Sequence, residues 1–137
     1  MNAMEKVAWT EVVVSAAAIV SAIVAYPWLG QGSEGFFGIL GFLVVGMLFL
    51  RKRGDEVITD ERDKAIEKTA TSQSVHIVWL TSLLILIGLT MTFGYHDANL
   101  PTVYLNWLIW MQLAVLYLAK GLLSLRAYRG AHHASQG

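Results

Sequence analysis

The sequence predicts an all-α membrane protein, a polytopic bundle of four transmembrane helices whose third helix extends into the cytoplasm. Three observations lead there. Hydrophobic residues make up 55% of the 137 positions and the mean hydropathy is +0.53, against about 45–50% apolar, glycine included, in ordinary soluble domains. Such a chain has too little polar surface to cover itself in water. Apolar runs of membrane-crossing length recur along it, and the ten Lys and Arg residues are confined to the N-terminus, one central segment, and the last turns and tail. At this length a single domain, 1–137, is expected, and nearly all of it is bundle.

The first expected span is 7–29, an almost unbroken apolar run ending in Tyr26-Pro27-Trp28. At about 1.5 Å per residue it is long enough for a hydrocarbon core of about 30 Å. A cleaved leader is the rival reading, because Val20-Ser21-Ala22 offers small residues. Against it, Lys6 is offset by Glu5, Glu11 interrupts the start, and apolar residues continue past the site. A short link, Gly30 to Glu34, leads to the second span, 35–50, which is short for a crossing and must gain length from its flanks. Gly35, Gly38 and Gly41 recur at every third position there. A stripe of small residues lets another backbone come close, so this face is expected to pack against a neighbouring helix.

Arg51-Lys52-Arg53 ends the second run and opens a polar cytoplasmic segment, 51–74. Within it Thr59-Asp60-Glu61-Arg62-Asp63 places a capping residue and acidic groups where the free N–H groups and dipole of a helix start favour them. Helix is expected from near Asp60, and with no proline or glycine before Gly88 it should run on as one rod through the third span, 75–95. The turn-rich stretch from Tyr95 to Pro101 makes the last two spans antiparallel neighbours. The fourth span is 102–125, with Trp107 and Trp110 near one end and Tyr128 beyond the other, as suits two membrane interfaces. The loops opposite the basic segments carry no Lys or Arg, so the positive-inside rule puts both chain ends and the central segment in the cytoplasm, in a prokaryotic inner membrane.

Glu11 and Lys120 are the charged residues set deepest in apolar surroundings, both toward the cytoplasmic ends of their spans, where they could pair. An ionisable group within a span needs a partner, a water cavity or a route to the interface; here a structural role is the stronger reading. Glu11 invites comparison with the small multidrug-resistance transporters, which use a first-helix glutamate. The chain reads Trp9-Thr10-Glu11-Val12-Val13, without that family's flanking pattern, and has a charged central segment those proteins lack. Asn106 and Gln112 in the fourth span read as interhelical hydrogen-bonding groups. His76 and His96 bracket the third span, about 30 Å apart on one helix, too far to share a haem or metal. The adjacent His132 and His133 lack further fixed ligands and carry no assigned role.

No cysteine is present, which excludes disulfides, thiolate metal sites and cysteine nucleophiles. The zero net charge argues against a nucleic-acid partner. No serine–histidine set, phosphate loop or catalytically spaced carboxylate pair is visible. The sequence therefore calls for no cofactor and no enzymatic activity.

Asp60-Glu61-Arg62, with Ile66, Lys68 and Ala70 following, resembles the Asp-Glu-Arg signature of an uncharacterised family of small prokaryotic four-helix membrane proteins. The resemblance is sharpest over Thr59 to Ala70 and implies topology, with spans two and two around the signature, but no activity. The leading expectation is an accessory, regulatory or immunity-type module in the lipid bilayer, docking a protein partner or its own copy through Asp60, Glu61, Arg62, Lys64 and Lys68. The alternative is a small oligomeric transporter or channel using Glu11 and Lys120.

Overall fold

The structure, a computed structural model, describes residues 3–44, 61–96 and 99–134. Every regular element among them is helical: α1 (Ala3–Leu29), a 3₁₀ helix (Gly30–Leu40), α2 (Glu61–Tyr95) and α3 (Thr102–Ala134). Three stretches are long and apolar enough to cross a membrane, Met4–Val44, Glu61–Tyr95 and Thr102–Gly130. The first of these takes in the first expected span and the described part of the second; positions 45–50 lie outside the described residues.

α1 buries one stripe, Ala8, Glu11, Ser15, Ala18, Ala22 and Ala25, at alternating spacings of three and four. All but Glu11 are small, so the helix axis can lie close to its neighbours. Larger side chains, among them Val13, Val20, Ile23 and Val24, point outward. Pro27 sits in the last turn, and Gly30 follows with φ +54°, a left-handed conformation open to glycine at no steric cost.

The chain reverses there. Phe37, Leu40 and Leu43 join Ala18, Ala22 and Ala114 in one buried cluster, whereas a straight helix would carry Phe37 about 22 Å past Ala22. The expected link Gly30 to Glu34 is thus already helical, and the glycine expectation is corrected. In a 3₁₀ helix residues three apart eclipse one another, so Phe37 and Leu40, continued by Leu43, form a straight inner row. Gly35, Gly38 and Gly41 form a row facing outward, and a Cβ added at any of them would meet nothing within 4 Å. Trp107 of α3 closes this end of the core, receiving Phe37 and Tyr26 edge-on at centroid distances of 5.6 Å. It packs inside the bundle, while Trp110 is more exposed.

From Glu61, the first described residue of its segment, α2 runs without a break to Tyr95, as the rod expected from the sequence. Its 35 residues make about 52 Å, more than a hydrocarbon core needs. It packs mainly on α3 through Asp63, Ala70, Ser74 and Ser82. α3 also packs on α1 and on the 3₁₀ helix, and it runs well past the expected end at residue 125, to Ala134.

Candidate functional site

The closest approach between helices builds the site. Gly121 of α3 lies against α1 so tightly that a Cβ there would come within 2.7 Å of Val12 Cγ2 and 2.9 Å of the Ala8 carbonyl oxygen. The next side chain along, Lys120, is thereby brought over the buried stripe of α1. Its Nζ donates to Glu11 Oε1 at 2.9 Å and to Glu67 Oε1 of α2 at 3.4 Å. One ammonium thus joins carboxylates from two helices that otherwise meet little.

The two arms differ. Glu11 is 2% exposed, so its charge is stripped of water and depends on Lys120; the Glu67 side chain is 47% exposed and remains solvated. Desolvation of a buried pair offsets much of its Coulombic attraction. The cavity between Glu11, Glu67, Lys120, Ser124 and Tyr128 has a volume of about 20 Å³, room for about one water. Ser15, one turn from Glu11, turns its hydroxyl back onto the Glu11 carbonyl, leaving the Glu11 carboxylate to Lys120.

One layer toward the chain ends, Tyr128 Oη donates to Asp63 Oδ1 at 3.0 Å. Asp63 is 3% exposed although it sits in the first turn of α2, where the helix dipole favours a carboxylate. Helical winding then sorts the charges of this segment. Asp63 is turned into the bundle and Glu67 toward Lys120, whereas Glu61, Arg62, Lys64 and Lys68 are exposed. Arg62 also rims a cleft of about 280 Å³ between α2 and α3, with Thr69, Gln73 and Leu123.

Asp60 lies outside the described residues. Asn106 donates through Nδ2 to Glu34 Oε2, tying the start of α3 to the 3₁₀ helix. Gln112 is half-buried in a narrow space shared with Thr81 and Ser82 of α2. The His76 ring donates through Nδ1 to the Ser72 carbonyl at 2.6 Å. Among the described residues no three histidine, aspartate or glutamate side chains gather as a metal site; the side chains of His132 and His133 lie outside them.

Sequence reasoning missed Gly121, Tyr128 and the inward turn of Asp63. One signal could have found Gly121 and Tyr128. Ala114, Gly121 and Tyr128 recur every seven residues on α3, matching Ala8, Ser15 and Ala22 on α1, and all six are buried. All of these but Tyr128 are small, and small residues at heptad spacing on two helices mark a close seam.

Neither the curated proteins nor the solved structures give a match to this chain. A family model described as "Predicted membrane protein (DUF2178)" matches residues 9–122. That stretch holds Glu11, Val12, Glu67, Lys120 and Gly121, together with all of α2, and leaves Ala8, Asp63's partner Tyr128 and the end of α3 outside it. The chain belongs to this family of predicted membrane proteins.

Proposed function

We propose that this protein is a non-enzymatic membrane module that docks a partner protein through the outer face of α2, with Arg62, Lys64 and Lys68 as the contact charges. The observation that carries the reading is the sorting of charge at the start of α2: Asp63 is 3% exposed and held by Tyr128, while its neighbours Arg62 and Lys64 face out. The inner acid fixes the helix, and the outer basic residues are left for recognition.

In this reading the module is a single domain of four crossings. The reversal at Gly30 supports counting Met4–Val44 as two of them, since its inner row returns along α1. Both chain ends and the start of α2 are then on the cytoplasmic side of a prokaryotic inner membrane, in keeping with the Lys and Arg distribution. The transporter alternative asks Glu11 and Lys120 to line an aqueous path. Their pairing at 2.9 Å beside a cavity of about 20 Å³ favours a structural clasp instead.

A photo-crosslinking residue placed at Lys68 in native membranes should capture a protein, whereas the same residue at Leu84 should not. Arg62→Gln with Lys64→Gln should abolish that adduct without lowering the amount of protein in the membrane. An adduct of twice the chain's own mass identifies a second copy as the partner. No adduct at position 68 defeats the docking proposal.

A further inference from the structure

A second cleft, separate from the clasp and from the outer face of α2, opens between the start of α1 and the end of α3. Its volume is about 500 Å³, and its lining includes Trp9, Val12, Leu122, Leu125, Arg126 and Arg129. Composition changes along it. Buried Leu125, half-buried Val12 and exposed Leu122 give the cleft an apolar wall, and the two arginines, three residues apart on α3, stand exposed at the rim nearer the chain ends. The Arg129 guanidinium lies 6.0 Å above the centroid of the Trp9 ring, a contact that orients its planar fork while leaving its N–H groups free. Among the described residues neither guanidinium makes an ion pair with a carboxylate.

We infer that this cleft is a binding site for an anionic phospholipid, with the headgroup phosphate on Arg126 and Arg129 and an acyl chain along Val12, Leu122 and Leu125. Two guanidiniums in register favour a phosphate, which each can hold by a pair of N–H donors. The apolar wall continuing from that charged rim selects a lipid over a free anion, because only a lipid presents phosphate and hydrocarbon together. Trp9 marks the interfacial depth at which a headgroup meets its chains. Basic pockets between membrane helices bind headgroups on the same physical grounds.

The test uses the purified full chain in phosphatidylcholine nanodiscs, titrated with phosphatidylglycerol while its thermal stability is followed. Phosphatidylglycerol should stabilise it saturably. Arg126→Gln or Arg129→Gln should each weaken the apparent affinity about fivefold, and the double variant about 25-fold. Thr92→Ala, near the other end of α2, should leave the affinity unchanged. Inorganic phosphate should give no stabilisation; equal stabilisation by it would make the site an anion site and overturn the lipid proposal. Should the double variant fail to accumulate, wild-type protein with a phosphatidylglycerol carrying a photoreactive acyl chain decides the matter. Labelling concentrated at Val12 and Leu122 supports the site, and labelling spread evenly over α2 refutes it.

Discussion

A methyl group added to Gly121 would lie 2.9 Å from the carbonyl oxygen of Ala8 and 2.7 Å from Val12 Cγ2. Backbone atoms on α1 cannot yield as a flexible side chain does, so α1 and α3 would have to separate along their seam. Gly121→Ala should therefore destabilise the protein by about 1–3 kcal/mol, the usual cost of overpacking. Gly38→Ala and Gly41→Ala, which meet open space, should lie within about 0.5 kcal/mol of wild type. Unfolding in detergent measures all three, and equal losses would remove the special standing of the α1–α3 contact.

Lys120→Met leaves the Glu11 carboxylate buried without its ammonium. A loss of about 3–5 kcal/mol is expected, as for other broken buried pairs. Adding Glu11→Gln to Lys120→Met should restore much of that stability, because no uncompensated charge then remains. Glu67→Gln should cost under about 1 kcal/mol, since its side chain is half in solvent and such pairs contribute little. A double-mutant cycle reads the coupling directly. If Lys120→Met proves no more harmful than Glu67→Gln, the asymmetry between the two arms is wrong.

The absence of native cysteine makes the membrane orientation simple to check. Single cysteines at Gly32 and Asn99 should react with an impermeant maleimide added to intact cells. Cysteines at Glu61 and Gly130 should react only after permeabilisation. Reaction at position 61 in sealed cells would invert the proposed sidedness.

How far the sequence could be read depended on whether a feature was one-dimensional. Glu11 and Lys120 stand out against apolar neighbours, and with the hydropathy runs this was enough to bring them to the same end of an antiparallel pair. The long rod of α2 was legible because no proline and no glycine interrupts it before Gly88; the expected start at Asp60 lies outside the described residues. Which face of a helix turns inward is a relation between helices, and there the sequence misled. The row Gly35, Gly38, Gly41 was as regular as the row Phe37, Leu40, and only the packing against Ala18 and Ala22 decides which is buried. Gly121 stood alone between Lys120 and Leu122, and its meaning came from residues more than a hundred positions away. Asp63 looked like one more charge in a solvated run until Tyr128 was placed beside it.

The place of α3 at the centre of the bundle bears on how the molecule is made. It packs against α1, the 3₁₀ helix and α2, whereas among the described residues α2 packs mainly on α3. A ribosome delivers α3 last of the four elements. Until then α2 waits in the bilayer without its principal neighbour, Asp63 without Tyr128, and Glu11 without its counter-ion. The contacts of Asp63 with Tyr128 and of Glu11 with Lys120 can therefore form only once α3 is in place.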